Sequence, residues 1–481
     1  MFAALALLSP ALQDPIRLTP GTPFQGALHR LAHARQDFEL EVPEGQVFLA
    51  LSAKSAGPDI DLFGGPSDAP LSLEDAPLAS LSSIGVERIV ADRLSEPPLA
   101  PGLWWFSVAT PIWDPLSPHE NSRPNVPYTL EVVLLAPRTD AVLSPGPARS
   151  FALDPESGGF RTFRIDVPKD ASLRVDLHGV PANLDLFARR GSPMTGLETA
   201  LAKARHDWGA ETLLLTPTSR PSVQEGPWFI DVMDAYSASV STPFEIRVSF
   251  DPAPPAEWSV PPRLVPRAPE KPLARALVSV LEAFSENGGG SATLIAPDGL
   301  ALTNAHVVDK GDRTPVDSVV LAANLDPRRP PEECFRATVV RFDADLDLAL
   351  IQVDRGFYGT PLPADYRFPS VELAREDQLD IGDPLWIVGY PSLGGTGSRV
   401  SIHCARGILS GFAREEEGVL LKTDAAVIPG NSGGAALDQQ GRLVGVPSAN
   451  VADENGSVGL ITPLSLLPAE WRLEIDKRAK R

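Results

Sequence analysis

The chain has 481 residues, of which 43% are hydrophobic, so it is long enough for about three domains and apolar enough to form buried cores. Its 50 prolines and 38 glycines favour short strands joined by turns, and an all-β protein is expected. The net charge of −20 opposes binding to phosphate backbones and anionic lipids, which excludes nucleic acids and membrane surfaces as expected partners.

The N-terminus is apolar. The first residues, MFAALALLSPALQ, lead to small residues at Ser9 and Ala11, as at the end of a secretory signal. The basic residues that open such a signal are missing, so residues 1–19 are either a truncated signal segment or simply an apolar stretch. No later run reaches the ~20 apolar residues of a membrane helix, so we expect no membrane-spanning segment.

A repeat with a period of 124 to 125 residues occupies the first half of the chain. The segment pairs that carry it are FELEVPEG (38–45) with FRIDVPKD (163–170), DIDLF (59–63) with NLDLF (183–187), and GLWWFSV (102–108) with GPWFIDV (226–232). The copies close with PYTLEVVL (127–134) and PFEIRVSF (243–250). Apolar and polar residues alternate in these segments, as in half-buried strands. Each copy is therefore predicted to be a small antiparallel β-sandwich, over residues 20–136 and 145–250.

The order of these pieces resembles the bacterial pre-peptidase C-terminal (PPC) domain, although two sandwiches of another family remain an alternative. Such domains are expected to bind a surface, a substrate or the rest of the chain. Asp59, Asp61 and Asp185 could suggest calcium ligands. An aspartate at the end of a strand more often caps a turn, so no metal is expected.

Residues 251–272 are rich in proline and predict an extended, semi-rigid spacer that separates the sandwiches from the last domain. The following segment, LARALVSVLEAF (273–284), has apolar residues at helical spacing and predicts a helix. Residues 273–481 suit one domain of two barrels. Cys334 and Cys404 are the only cysteines, which excludes a disulfide framework and leaves their pairing open.

Three segments of the last domain carry catalytic residue types in the order His, Asp, Ser. They are GGGSATLIAPDGLALTNAHVV (288–308), VVRFDADLDLALIQV (339–353) and TDAAVIPGNSGGAALDQQGRLVGV (423–446). Taken singly, each has a simpler interpretation: a structural histidine, a row of turn aspartates, or a glycine-rich turn. The aspartates do not form an EF-hand loop, because Leu348 lies where that loop needs glycine.

Together the three segments satisfy the needs of nucleophilic catalysis. A serine hydroxyl becomes a good nucleophile only when an imidazole takes its proton, and the imidazole needs a carboxylate to fix its tautomer. Ser432, His306 and Asp347 can fill these roles, whereas Asp343 and Asp345 are expected in a solvated turn. The backbone N–H groups of Gly430 and Ser432 would form the oxyanion hole.

The motifs TNAHVV, DLALI and TDAAVIPGNSGG closely resemble those of the HtrA (Deg) serine proteases, and GYPSLG from Gly389 resembles one of their loops. The resemblance covers about 195 residues and implies a chymotrypsin-like pair of β-barrels with the active site between them. It also implies nucleophile Ser432, base His306 and orienting Asp347. Relatives usually carry PDZ domains after the protease, but here only residues 468–481 follow Leu467, so neither PDZ regulation nor the common trimer is predicted.

The substrate pocket follows from the same resemblance. The residue six before the nucleophile, Ala426, would form the base of the pocket, and Ser448, Ala449 and Asn450 match the wall positions. The segment GVPSANV (445–451) carries proline and asparagine where relatives more often have asparagine and isoleucine. No carboxylate is available to pair with a buried lysine or arginine, so cleavage after small or apolar residues is expected.

These expectations describe an exported serine endopeptidase that needs no cofactor, acts on proteins or peptides through an acyl-enzyme, and is secreted or resides in the periplasm or cell envelope. One alternative is a non-catalytic binding or scaffold protein with a protease-like fold. Another is an esterase, although no histidine follows Ser432 in this sequence, as the α/β-hydrolase order of elbow serine, acid and histidine requires.

Overall fold

A computed structural model gives the structure of the chain from residue 14 to residue 479. It describes these residues apart from 29–34, 56–58, 82–84, 111–124, 155–158, 207, 235–240, 259–260, 286–287, 375–378, 392–394, 397–398, 416–417 and 454–455. It describes the backbone alone at residues 257, 395–396, 399, 449–453 and 456–457. The possible signal segment therefore lies largely outside the described residues.

The first sandwich consists of two facing sheets. Its strands are β1 (Ile16–Arg17), β2 (Phe24–Leu28), β3 (Arg35–Val42), β4 (Phe48–Ser55), β5 (Asp61–Pro66), β6 (Leu78–Ser80), β7 (Val86–Asp92), β8 (Gly102–Ala109) and β9 (Val126–Leu135). One sheet has the order β1-β3-β8-β5-β6 and the other β2-β9-β4-β7. Alternate residues of β9 are buried, as the sequence pattern predicts, because one face of the strand packs on the core.

The second sandwich repeats this topology. Its strands are β10 (Ala141–Leu143), β11 (Arg149–Leu153), β12 (Phe160–Val167), β13 (Leu173–His178), β14 (Leu184–Arg190), β15 (Ala202–Ala204), β16 (Thr212–Leu215), β17 (Gly226–Asp234) and β18 (Thr242–Ser249). The sheets have the orders β10-β12-β17-β14-β15 and β11-β18-β13-β16. Both sandwiches are antiparallel except for one edge strand, since β1 and β10 pair in parallel with β3 and β12.

Equivalent details confirm the sequence repeat. The indole of Trp104 donates to Ala100 O over 3.0 Å, and that of Trp228, 124 residues later, donates to Gln224 O over 2.9 Å. Both rings are fully buried. The register of the two copies is therefore the same in the core and in the chain segment before each aromatic strand.

The predicted helix over residues 273–284 is only half correct. Helix α1 spans Pro272–Ser279, with proline in its first turn, and the chain then becomes strand β19 (Val280–Ser285). Every residue of β19 is buried. A strand covered on both faces need not alternate apolar and polar residues, and the pattern of VLEAFS merges with that of the helix before it.

The last domain contains two closed barrels. The first is formed by β19 with β20 (Gly288–Leu294), β21 (Leu300–Thr303), β22 (Val319–Ala323), β23 (Glu332–Asp343) and β24 (Leu348–Gly356). The second is formed by β25 (Pro384–Gly389), β28 (His403–Arg414), β29 (Val419–Thr423), β30 (Ala435–Leu437), β31 (Leu443–Asp453) and β32 (Gly456–Pro463). The fold class predicted from the sequence, an all-β chain ending in a chymotrypsin-like double barrel, is confirmed.

Smaller elements complete this domain. A two-stranded ribbon, β26 (Gly395–Thr396) and β27 (Arg399–Val400), precedes β28, and helix α2 (Ala469–Ala479) closes the chain. Trp471 and Ile475 of α2 are buried and belong to the apolar cluster between the barrels, which also contains Leu302 and Val388. Among the described residues, no helix has the length and apolar character needed to cross a bilayer.

The two sandwiches meet through a buried ion pair. Arg93 of the first sandwich lies 2.5 Å from Asp231 of the second, and both side chains are nearly inaccessible to solvent. Thr162 also donates to Asp231. Burial raises the pKa of Asp231, and the charge of Arg93 opposes this effect. Apolar residues from both copies, including Phe48 and Phe160, surround the contact.

The second sandwich in turn packs against the first barrel. Ala210 and Trp208 lie in one apolar cluster with Phe284 and Tyr358 of the barrel. The Tyr358 hydroxyl donates to Leu177 O over 3.2 Å. The spacer lies along the barrel as well: Leu264 is buried in the barrel core, and Pro262 O accepts a hydrogen bond from Tyr366. The spacer therefore does not hold the sandwiches away from the last domain, contrary to the sequence-based expectation.

The cysteines are not paired, since Cys334 is buried in the first barrel and Cys404 is exposed on the second. Of the aspartates considered as calcium ligands, Asp185 accepts a hydrogen bond of 2.9 Å from Arg205. Burial, Asp59 and Glu87 raise the pKa of Asp61 to about 6. Among the described residues, no group of three or more His, Cys, Asp and Glu side chains is arranged to hold a metal ion.

Candidate active site

His306 begins a short 3-10 turn (His306–Val308) directly after β21. Its Nδ1 atom lies 2.9 Å from each carboxylate oxygen of Asp347, and its backbone N–H donates to Asp347 Oδ1 over 3.0 Å. The histidine side chain is 50% exposed and that of Asp347 is 32% exposed. A carboxylate at Nδ1 holds the proton on that nitrogen and leaves Nε2 as the basic atom.

Asp347 lies in the tight connection between β23 and β24 and has a φ angle of +51°. Aspartate and asparagine tolerate this left-handed conformation better than most residues, because their short polar side chains bond locally. The neighbouring aspartates serve other contacts. Asp343 accepts from the amides of Asp345 and Leu346, and Asp345 pairs with the exposed Arg313.

Ser432 lies in the loop between β29 and β30. Its carbonyl accepts a hydrogen bond of 2.8 Å from the amide of Ser291 on β20, which joins the loop to the first barrel. A Cβ atom at Gly290 would lie 2.7 Å from Val307 Cγ2 and 2.9 Å from Ser432 O. Glycine at this position therefore lets the histidine turn and the serine loop pack on the same strand.

The side chains of His306 and Ser432 come from facing elements of the two barrels. Among the hydrogen bonds of the described residues, none joins the Ser432 hydroxyl to the His306 ring. Catalytic hydrogen bonds are often long without substrate and tighten in the reactive complex. The structure thus gives the His–Asp half of the candidate triad in full contact and the serine on the adjoining loop.

The loop around Ser432 is a compact turn. The amide of Asn431 donates to Ile428 O, that of Gly434 donates to Asn431 O, and Ser291 Oγ donates to Gly430 O over 2.8 Å. Within the described residues, no backbone hydrogen bond uses the amides of Gly430 and Ser432. Both N–H groups thus remain candidates for the oxyanion hole expected from the sequence.

The candidate pocket residues are only partly described. Ala426 is exposed, and its carbonyl accepts from Asn431 Nδ2 over 3.3 Å. The Ser448 hydroxyl lies 2.8 Å from Thr462 Oγ1 and 3.0 Å from Asn304 Nδ2. The side chains of Ala449 and Asn450 lie outside the described residues, although the backbone of both pairs with β32.

Asn304 and Ser291 were missed by the sequence analysis as site residues. Asn304 is completely buried and contacts Asp347, Gly433 and Ser448. The sequence did contain a signal for Asn304: it is a polar residue that directly follows an apolar strand and precedes the candidate base by two residues. Ser291 gave none, because its role depends on a loop that lies about 140 residues further along the chain.

Comparison with known proteins identifies the C-terminal region. Residues 290–446 match the family model described as "Trypsin-like peptidase domain". The matched region contains the three segments that supply His306, Asp347 and Ser432. The chain therefore contains a trypsin-like peptidase domain, and the resemblance to HtrA proteases is confirmed for this part of the molecule.

Curated relatives include serine proteases of this kind. "Periplasmic serine endoprotease DegP" of Salmonella typhimurium is 33% identical over 177 residues, which are 36% of this chain and 32% of the relative. "Putative serine protease HhoB" of Synechocystis is 31% identical over 190 residues, which are 37% of this chain and 38% of the relative. The chain thus spans about a third of the length of the curated relatives that it matches.

Solved structures give a similar comparison. "HtrA-type protease AlgW with tripeptide" is 26% identical and aligns over 43% of this chain and 63% of its own, with a TM-score of 0.33.

Proposed function

We propose that the chain is a serine endopeptidase that hydrolyses peptide bonds through His306, Asp347 and Ser432. The observation that carries the proposal is the contact of both Asp347 carboxylate oxygens with His306 Nδ1, within a region that matches trypsin-like peptidases. An imidazole oriented in this way is what activation of a serine hydroxyl requires.

In the proposed mechanism, Ser432 Oγ attacks the scissile carbonyl while His306 Nε2 takes its proton. The amides of Gly430 and Ser432 stabilise the oxyanion, and each such donor is worth roughly 3 to 4 kcal/mol of the barrier. His306 then donates the proton to the leaving amine, which leaves an acyl group on Ser432. Water activated by the same imidazole releases the acid product and restores the serine.

The pocket is proposed to accept small or apolar side chains. Ala426, which is exposed, adds no charge at the expected bottom of the substrate pocket. The nearest acidic residue in the sequence is Asp424, and its carboxylate accepts a hydrogen bond from the amide of Ile408. A substrate lysine or arginine would therefore enter the pocket without the partner that a buried charge needs.

We propose a periplasmic or other extracytoplasmic location, on the basis that relatives such as DegP carry that description. The sandwiches are proposed to be PPC-like modules that bind a surface or a substrate, or that support the protease domain. The direct packing of the second sandwich on the first barrel favours the last of these roles.

A fluorophosphonate probe tests the proposal, because it reacts covalently only with an activated serine. The wild-type protein should be labelled and should degrade casein, whereas Ser432→Ala should do neither and should still fold. Ser410→Ala, an exposed serine on β28, is the matched control and should be labelled like the wild type. An unlabelled wild type would favour the non-catalytic scaffold alternative.

A further inference from the structure

The side-chain amide of Asn304 forms hydrogen bonds with both its nitrogen and its oxygen in the space between the two barrels. It lies directly after β21, two residues before His306, and is completely buried. Its Nδ2 group donates to Asp347 O over 2.7 Å, to Asp347 Oδ2 over 3.0 Å and to Ser448 Oγ over 3.0 Å. Its Oδ1 atom accepts from the amide of Gly433 over 2.6 Å. An asparagine amide offers two donors and one carbonyl acceptor, and each of them has a partner here.

The partners determine the orientation of the amide. If the nitrogen and oxygen were exchanged, Oδ1 would face the carbonyl and carboxylate oxygens of Asp347, and Nδ2 would face the N–H of Gly433. Both contacts would then be repulsive. The hydrogen-bond partners therefore determine which atom of the amide is the nitrogen and which is the oxygen.

These contacts join three separate parts of the candidate site. Asp347 belongs to the first barrel, Gly433 directly follows the candidate nucleophile, and Ser448 lies on the strand of the expected pocket wall. Gly433 has a φ angle of +81°, and a Cβ atom there would lie 2.0 Å from Ser291 O. The residue whose amide donates to Asn304 thus approaches the first barrel too closely for any side chain to fit there.

We propose that Asn304 is a positioning residue that fixes the His306–Asp347 pair of one barrel relative to the Ser432 loop of the other. The inference rests on the proposed function for its catalytic meaning. The structural effect that we propose for Asn304 is on the orientation of the Asp347 carboxylate. This effect can be measured whether or not the protein is an active peptidase.

Two substitutions separate positioning from simple filling of space. Asn304→Leu keeps nearly the same volume but removes the donor to Asp347 and the acceptor for Gly433. The Asp347 carboxylate should then lose its orientation, and the low-field NMR resonance of the His306 Nδ1 proton, which reports the hydrogen bond to Asp347, should shift or broaden. Asn304→Ala removes every contact and should lower the rate of fluorophosphonate labelling by about 10- to 100-fold, as loss of alignment does.

The control is Asn324→Ala, which removes another buried asparagine amide from the first barrel, next to the end of β22. It should leave the labelling rate and the Nδ1 proton resonance of His306 unchanged. Thermal unfolding of each variant shows whether the fold persists, and His306→Gln identifies the His306 resonance in the NMR spectrum.

The readouts distinguish failure of this inference from failure of the proposed function. A labelled wild type, together with an unchanged His306 Nδ1 proton resonance in Asn304→Leu and wild-type labelling in Asn304→Ala, would overturn the role of Asn304 alone. An unlabelled wild type whose Nδ1 proton resonance still changes in Asn304→Leu would support the positioning contact and reject the peptidase. An unlabelled wild type with an unchanged resonance would reject both.

Discussion

The carboxylate of Glu333 on the first barrel accepts a hydrogen bond of 3.0 Å from the backbone amide of Gly209 in the second sandwich. Its other oxygen accepts from the amide of Ala210 over 3.2 Å. A buried side chain of the peptidase domain thus holds a loop of the preceding domain, which makes the sandwich part of the surroundings of the barrel.

Deletion of residues 1–250 should therefore have two separable effects. Hydrolysis of a short peptide should persist, because all three catalytic segments lie between residues 288 and 446. The barrel should lose stability and bind more of a hydrophobic dye, since Phe284, Val320 and Tyr358 lose their cover. Dye fluorescence and thermal unfolding, compared with the full chain, measure the second effect. A truncated protein as stable as the full chain would show that this contact contributes little.

Asp347 should be the only one of the clustered aspartates that matters for rate. Asp347→Asn should reduce turnover by about 10⁴-fold, because an amide allows the wrong histidine tautomer. Asparagine also tolerates the left-handed backbone at this position, so the fold should survive. Asp345→Asn is the matched control, because the side chain of Asp345 pairs with the exposed Arg313. A larger loss of turnover at Asp345 than at Asp347 would overturn the assignment.

Stability of the second sandwich should depend on pH through Glu211. Burial raises the pKa of this carboxyl to about 7, although the hydrogen bond and charge of His206 oppose the shift. The folded state then retains a proton that the unfolded state loses above about pH 4.5. The stabilisation is complete below that pH and is lost as pH rises through 7.

The corresponding experiment compares denaturant unfolding at pH 5 and pH 8. The wild type should lose more stability between these values than Glu211→Gln does, because glutamine does not titrate. The exposed Glu225→Gln in the same sandwich should behave like the wild type. Equal losses in the wild type and Glu211→Gln would mean that Glu211 ionises normally in the folded chain.

Cleavage specificity should respond to the residue at position 426. The wild type should cut a peptide library after residues such as valine, alanine or leucine. Ala426→Asp should shift cleavage toward lysine and arginine, because it supplies a carboxylate for a charge that otherwise enters unpaired. Dominant cleavage after arginine by the wild type would show that the pocket lies elsewhere.

The sequence predicts this molecule best where the pattern is local. The alternating strands of the repeat and the three catalytic motifs each lie within about twenty residues, and the structure has the predicted sandwiches and barrels. The boundary between α1 and β19 was wrong because burial on both faces removes the strand period. The packing of Tyr358 on the second sandwich depends on residues about 180 positions apart, for which no local pattern exists.

The ion pair between Arg93 and Asp231 also shows how the two copies of the repeat differ. The residue 124 positions after Arg93 is Pro217, and the residue 124 positions before Asp231 is Ser107. Each copy therefore carries one half of the contact and an uncharged residue in place of the other half. If a duplicated gene segment produced the copies, they are no longer interchangeable modules. Exchanging their order would place Pro217 opposite Ser107, so the ion pair would be lost. A third copy added before the first would face the uncharged Ser107, and one added after the second would face the uncharged Pro217.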